Sequence, residues 1–228
     1  MMNYIYLFLL FFLLGCKSND ITYFPIDKLK RWSYSVIITP EIDRPTTYKK
    51  INVALGKTKI NKEIYYPLLR ENGSVYYYQK KSDGIFRYGF SFEKEKEINL
   101  HKKERLVLPK NLEPGTKWDV NSKTYLILKR YPYYDYRATT NFQINYEVIS
   151  KSQTVTTPLG KFRDCLHLKG VGNTKFIGDS EIGSIDINII SEEWYAKNVG
   201  LVKSIRTEKT SSELFGTTKM VQTLESYE

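Results

Sequence analysis

Apolar and polar residues alternate with a period of two along most of this chain. Only a β-strand turns successive side chains to opposite faces in this way. In the cleanest run, 142–148, the apolar members are Phe142, Ile144, Tyr146 and Val148. Runs of the same kind occur at 32–38, 86–92 and 185–189. Each run predicts a strand with one face on a core and the other in water, as in antiparallel sheets.

Turn residues and composition agree with this prediction. Asn72-Gly73 and Asp83-Gly84 separate three short strand runs and predict a meander, and Pro114-Gly115 fits a type II turn. Aromatic residues make up 14% of the 228 residues, and Tyr and Phe favour strands. Only residues 92–108 could hold a helical turn or two, with a solvated loop as the alternative. We therefore predict an all-β fold: a single curved antiparallel sheet or a partly open barrel, with little helix.

The first fifteen residues carry no charged side chain and include an unbroken apolar run at 7–14. That run is too short to span a bilayer, which takes about 20 residues, but has the size of a signal-peptide core. Leu13-Leu14-Gly15-Cys16 resembles the lipobox of bacterial lipoproteins, in which the leader is cut before the cysteine and the sulfur is lipidated. The alternatives are an ordinary secretory leader with a chance cysteine, or a short uncleaved anchor.

These features predict a signal peptide at 1–15, a lipidated Cys16 with a tether at 16–20, and a single β domain at 21–228. We expect a bacterial cell-envelope lipoprotein held on the membrane by acyl chains on Cys16. Lys17 stands where an Asp is associated with inner-membrane retention, so the sorting rule implied by the resemblance favours the outer membrane. After lipidation Cys165 is the only remaining thiol, which excludes an intramolecular disulfide.

Several short motifs resemble those of a group of uncharacterised bacterial lipoproteins. Tyr23-Phe24-Pro25 followed by Trp32-Ser33-Tyr34 matches their opening strand, and the segment 112–118 matches a mid-chain turn that ends in Trp118. Segments 157–165 and 194–203 match the closing half. The resemblance spans 23–203 and implies a sheet plan similar to the lipoprotein-carrier type, without implying a function.

Residues with catalytic potential are few. Cys165 and His167 lie two apart on a predicted strand and could form a nucleophile with its base, or half a metal site. Alternatively, a bulge near Asp164 turns Cys165 into the core as a small apolar residue. His101 lies in a charged run without a partner. The common hydrolase, nucleotide-binding and zinc-protease motifs are missing, so we expect no enzyme activity, no cofactor and no metal.

The formal net charge of +10 raises the question of nucleic-acid binding. The lysines are scattered over predicted turns, often beside Glu, whereas a nucleic-acid footprint needs them on one face. We therefore expect no nucleic-acid partner. The default explanation of the charge is a solvated lysine surface, and attraction to an anionic membrane surface is the alternative.

Tyrosine clusters are the most distinctive candidate surfaces. A possible partner surface consists of Tyr131, Tyr133, Tyr134 and Tyr136, with cross-strand packing as the alternative. A possible apolar-ligand face consists of Trp32, Tyr34, Phe86, Tyr88, Phe90, Phe142, Ile144 and Tyr146. We predict a non-catalytic binding or assembly role with a lipid or an envelope protein as partner. The alternative functions are a carrier or acceptor of a lipid or acyl chain in a sheet cavity and an enzyme using Cys165 and His167.

Overall fold

The computed structural model describes residues 22–92, 98–124, 126–130, 134–178, 180 and 183–228, with only the backbone at 100–103, 127–130 and 134–138. The predicted signal peptide, the lipidated Cys16 and the tether lie outside the described residues, so these remain predictions. In the described part of the chain, no helix is long and apolar enough to cross a membrane.

Fifteen β-strands account for the described fold. They are β1 (Lys30–Pro40), β2 (Thr46–Ala54), β3 (Thr58–Ile60), β4 (Glu63–Arg70), β5 (Ser74–Lys80), β6 (Gly84–Phe92), β7 (Asn99–Pro109), β8 (Lys117–Lys123), β9 (Leu126–Arg130), β10 (Tyr134–Ala138), β11 (Asn141–Thr157), β12 (Gly160–Ile177), β13 (Ser184–Ala196), β14 (Gly200–Thr210) and β15 (Thr217–Tyr227).

Thirteen of these strands form one large antiparallel sheet in the order β7-β6-β5-β4-β2-β1-β15-β14-β13-β12-β11-β8, with β3 paired to β4, whereas β9 and β10 pair with each other. Its two edges, β7 and β8, are consecutive in sequence, and the sheet curls until it is nearly closed into a barrel. No helix occurs in the described ranges. The predicted all-β fold with a partly open barrel is confirmed.

The turns have the conformations that the sequence predicts. Strands β4, β5 and β6 form the expected meander. Gly115 has φ of 90°, and the Thr116 N–H donates to Glu113 O at 3.0 Å, as a type II turn requires. For 99–108, both the helical turn and the loop considered for 92–108 are wrong, because Asn99–Pro109 forms β7 beside β6. Residues 93–97 lie outside the described residues.

Two glycines on β12 explain how large side chains fit inside the sheet. A Cβ at Gly170 would lie 2.8 Å from Ile144 Cδ1 and 2.9 Å from Tyr146 Cε1. A Cβ at Gly172 would lie 2.6 Å from the ring of Phe142. The alternating apolar residues of β11 therefore occupy the space that β12 leaves free on the inner face.

Residues 22–26, here called the strap, run over one end of the sheet before β1 begins. Tyr23 and Ile26 are buried, and the ring of Phe24 packs on that of Tyr78 with centroids 5.3 Å apart. The Asn198 N–H donates to Thr22 O at 2.7 Å, which joins the strap to the β13–β14 turn. The Tyr-Phe-Pro motif therefore closes this end of the sheet.

Candidate functional site

Strand register decides which residues of the predicted apolar-ligand face share the inner face. Six of them do: Trp32, Tyr34, Phe90, Phe142, Ile144 and Tyr146. All of these except Phe90 are buried. Phe86 pairs with Gln79, and the ring of Tyr88 meets that of Tyr65, so both side chains lie on the outer face. The cause is a bulge between Arg87 and Gly89 that turns the strand over.

The inner face also carries a cluster of positive charge that sequence reasoning missed. Lys50 pairs with Tyr34, Arg70 with Asn52, and Arg87 with both Tyr78 and Arg105. We call Lys50, Arg70, Arg87 and Arg105 the cationic cluster. All four side chains are partly buried. No sequence signal distinguishes them from surface residues, because only the order and register of the strands bring them together.

The cluster is compact. The guanidinium groups of Arg70 and Arg87 lie 5.5 and 4.7 Å from the centroid of the Tyr76 ring. Tyr78 interacts electrostatically with all three arginines. Burial and repulsion by Arg70 lower the pKa of Lys50 to about 8. Burial and the facing Arg87 lower the pKa of Arg105. The four groups therefore share one electrostatic environment.

Two carboxylates lie near the cluster. Glu193 on β13 accepts hydrogen bonds from Tyr146 OH at 2.8 Å and Tyr195 OH at 2.5 Å. Glu71 lies 3.9 Å from Arg70 Nη2, and its other oxygen accepts the Ile51 N–H at 3.3 Å. Burial is the main cause that raises the pKa of Tyr146 and Tyr195, followed by Glu193. Both carboxylates therefore have other hydrogen-bond partners, and the region keeps a net positive charge.

A cavity of about 120 Å³, here called the inner cavity, lies under the strap beside this cluster. Its lining includes Lys50, Asn52, Gln222 and the rings of Tyr34 and Tyr78. Gln222 is 3% exposed; its Oε1 accepts from Lys50 Nζ at 2.9 Å, and its Nε2 has no partner. Asn52 Oδ1 is also buried without a partner. Buried polar groups are normally satisfied, so two unused groups at one cavity indicate a ligand site.

Gly200 forms part of the cavity wall, in a backbone conformation that favours glycine. Its φ of +98° belongs to the left-handed region that favours glycine, and a Cβ there would lie 3.4 Å from Pro25 Cδ and 3.6 Å from Trp32 Nε1. Trp32 Nε1–H donates to Val199 O at 2.6 Å, and Tyr34 OH donates to Leu201 O at 3.1 Å. The β13–β14 turn therefore fixes the strap and the aromatic rings that line the cavity.

Cys165 and His167 lie in different surroundings. Asp164 has φ of 51°, the register of β11 and β12 shifts nearby, and Cys165 is fully buried in the core. Burial raises the pKa of its thiol, the opposite of what a nucleophile needs. His167 stacks on Trp194 at 4.7 Å, and its Nε2 lies 3.3 Å from Glu192 Oε1. The predicted bulge that turns Cys165 inward is the arrangement observed.

The tyrosine partner surface falls largely outside the described side chains. Tyr131 and Tyr133 lie outside the described residues, whereas Tyr134 and Tyr136 belong to β10, which pairs with β9 in a separate two-stranded sheet. Whether they form a partner surface stays a prediction. Among the described residues, no group of three or more His, Cys, Asp or Glu side chains could hold a metal ion.

Two larger depressions lie outside the barrel interior. One, of about 380 Å³, lies along the β12–β13 pair and contains Lys175, whose Nζ is 3.5 Å from Asp186 Oδ1. The other, of about 400 Å³, lies between the strap and the β7–β8 connection. Its Lys80 and Lys151 already pair with Asp27 and Glu113. Because these charges are paired at the surface, the inner cavity is the stronger candidate.

Two solved structures resemble the chain. A candidate lipoprotein from Parabacteroides distasonis is 15% identical with a TM-score of 0.45, over 91% of this chain and 99% of that one. A candidate exported protein with a YmcC-like fold from Bacteroides fragilis is 12% identical with a TM-score of 0.45, over the same shares. Neither name states a molecular function. No protein-family model matches the chain, and no curated protein matches it significantly.

Proposed function

We propose that the protein is a lipid-anchored protein of the bacterial cell envelope that binds a small polar ligand in its inner cavity without catalysing a reaction. The observation that carries this proposal is the pair of buried, unused hydrogen-bonding groups, Gln222 Nε2 and Asn52 Oδ1. A ligand that meets both groups would remove the cost of leaving them unsatisfied, roughly 1–3 kcal/mol each.

The size of the cavity limits the ligand. Its volume of about 120 Å³ suits a small ligand or a small group of a larger one. Pockets that enclose drug-sized ligands have about 300–1,000 Å³. The alternative function, a carrier of an acyl chain, has less support because large rings such as Phe142 and Tyr146 fill the interior.

A non-catalytic role is supported by the state of the candidate nucleophile. Cys165 is fully buried, and its thiol pKa is raised. In the described part of the chain, the cavity lining contains no Ser, His or Cys that could form a catalytic pair. The polar groups beside the cavity can donate to a ligand or accept from it, which is sufficient for binding.

Native mass spectrometry of the mature protein, released from membranes in a neutral detergent, tests the proposal. We expect a small co-purifying or saturably added molecule in one copy per chain. Gln222→Leu, which keeps the shape but removes the amide, is expected to lose that molecule. Gln143→Leu, at an exposed position of β11, is the matched control and should retain it. A folded wild-type protein that binds nothing, or equal loss in both variants, would contradict the proposal.

A further inference from the structure

The cationic cluster is costly for the fold in the absence of a ligand. Arg87 and Arg105 lie directly opposite each other on neighbouring antiparallel strands, where like charges destabilise the pair. An arginine stays protonated at neutral pH, so the repulsion cannot be removed by loss of a proton. Hydrophobic residues at these positions would have filled the interior without repulsion.

In the described part of the chain, neighbouring carboxylates and hydrogen-bond acceptors satisfy the cationic cluster only in part. Arg87 Nε and Arg70 Nε are buried without hydrogen-bond partners. The carboxylate of Glu71 is 3.9 Å from Arg70, too far for a hydrogen bond, and Glu193 accepts from two tyrosine hydroxyls. The Nε–H groups of Arg70 and Arg87 therefore remain available to an acceptor with more than one oxygen.

Cavity and cluster adjoin each other. Lys50 belongs to both, and Asn52 in the cavity wall is the cross-strand neighbour of Arg70. Tyr78, also in the wall, interacts with Arg70, Arg87 and Arg105. A group bound in the cavity would therefore meet the field of all four cations together with the free N–H of Gln222.

We propose that the inner cavity binds a phosphate group, held by Lys50 in the cavity wall and by the adjoining arginines of the cationic cluster, Arg70, Arg87 and Arg105. This inference rests on the proposed function and specifies the ligand class of the same site. A phosphate presents several oxygens, and arginine forks match such oxyanions with paired hydrogen bonds. A tetrahedral group of five heavy atoms also suits a cavity of about 120 Å³.

One member of the cationic cluster, Arg70, reaches the solvent. Arg70 is the last residue of β4, beside the β4–β5 turn, and its side chain is 26% exposed. Arg70 can therefore meet an anion in solvent, and Arg87 lies next to it against the same Tyr76 ring. The phosphate can be free, or it can belong to a larger molecule whose remainder stays outside.

Isothermal titration calorimetry of the mature protein in neutral detergent, with inorganic phosphate and with glycerol 3-phosphate, tests the inference. We expect saturable one-to-one binding of at least one of them and none of glycerol. Tighter binding of glycerol 3-phosphate would indicate the phosphate of a larger molecule, whereas equal or weaker binding would indicate free phosphate. The absence of saturable heat with both anions would overturn the inference.

Variants identify the site. Arg87→Gln and Arg105→Gln should each weaken phosphate binding about tenfold or more, because each removes a charge-assisted contact. Lys117→Gln removes an outer lysine, 3.4 Å from Glu147, and should leave the affinity unchanged. An equal loss with Lys117→Gln would show that only general surface charge attracts the anion and would overturn the inference.

A stability measurement separates a binding role from a structural one. Without phosphate, Arg87→Gln should melt at the same temperature as wild type or higher, because it relieves the repulsion with Arg105. Phosphate should raise the melting temperature of wild type relative to chloride at equal ionic strength, and should not raise that of Arg87→Gln. A lower melting temperature of the ligand-free variant would mean that Arg87 is structural and would contradict the inference.

Failure of this inference differs from failure of the proposed function. If phosphate does not bind but native mass spectrometry finds a neutral molecule that Gln222→Leu loses, the cavity is a binding site of another ligand class. If neither phosphate nor any other molecule binds to the folded protein, both the ligand class and the binding function are wrong.

Discussion

Lys50 on β2 donates a hydrogen bond from Nζ to Oε1 of Gln222 on β15 at 2.9 Å, across the inner face of β1, which lies between the two strands. The two residues are 172 positions apart in sequence. Their contact joins a strand from the start of the chain to the last strand in sequence, and the amide N–H of Gln222 has no hydrogen-bond partner.

The stability of the fold should depend on the charge of Lys50. Its pKa is about 8 in the folded protein, against 10.5 for an unperturbed lysine, as in the unfolded chain. Between these values the unfolded chain holds more protons, so the free energy of unfolding rises with pH; below about 8 Lys50 contributes no pH dependence. Lys50→Met should remove a rise of about 1–2 kcal/mol between pH 8 and 9.5.

Urea denaturation at several pH values measures this difference. Lys49→Met, at the exposed neighbouring position, is the control and should follow the wild-type curve. The pH range should end below 10, because buried tyrosines such as Tyr34 have raised pKa values and act in the opposite direction at higher pH. Identical pH dependence in wild type and Lys50→Met would contradict the burial of a charged Lys50.

Gly170→Val should destabilise the fold by about 1–3 kcal/mol, the usual cost of overpacking a filled core. The new side chain would collide with Ile144 and Tyr146, which lie within 3.0 Å of a Cβ at this position. Asn173→Val, on the exposed face of the same strand, should have little effect. Urea denaturation of both variants measures the free energy of unfolding. Equal values would show that the inner face can accommodate a larger side chain at this position.

Cys165 should be unreactive toward a thiol reagent in the folded protein. The side chain is fully buried and the pKa of the thiol is raised, so little thiolate is accessible. In a protein lipidated on Cys16, Ellman's reagent at pH 8 should label no thiol until urea unfolds the chain. Ser152→Cys, at an exposed position of β11, should react at once. Rapid labelling of native Cys165 would contradict this prediction and support the catalytic alternative.

Cys16→Ala should release the protein from membranes, because several acyl chains at about 0.8 kcal/mol per buried CH₂ anchor far more firmly than surface charge. Cys165→Ala removes the other cysteine and should leave the protein on the membrane. Fractionation after a high-salt wash, followed by immunoblotting, measures both variants. A Cys16→Ala protein that still sediments with membranes would refute the lipid anchor.

Much of the fold could be predicted because strand formation depends on neighbours in sequence. In β11 the apolar residues from Phe142 to Val148 recur at every second position, and this period by itself places them on one face. The turns at Gly73 and Gly115 follow in the same way from residues that accept positive φ. The buried Tyr-Phe-Pro segment was recognisable as a motif, but its role in closing the barrel was not.

The candidate site could not be predicted, because bulges and long-range pairing create it. Arg87 stands between Phe86 and Tyr88, so strict alternation places it on the polar side, and the bulge before Gly89 turns it inward instead. From the sequence, Lys50 is expected to be one of two adjacent surface lysines. Gln222 lies beside it only because β1 pairs with β2 on one side and with β15 on the other.

The sequence alone therefore determined the strands, their turns and the alternation within each one, since these depend on backbone geometry over a few residues. Only the tertiary structure decided which strands are neighbours, where a bulge inverts the faces, and that Lys50, Arg70, Arg87 and Arg105 form one cluster beside the inner cavity. The physical reason is that burial and electrostatic interaction act through space. Residues that are distant in sequence acquire a common environment only when the sheet curls and brings its inner face together.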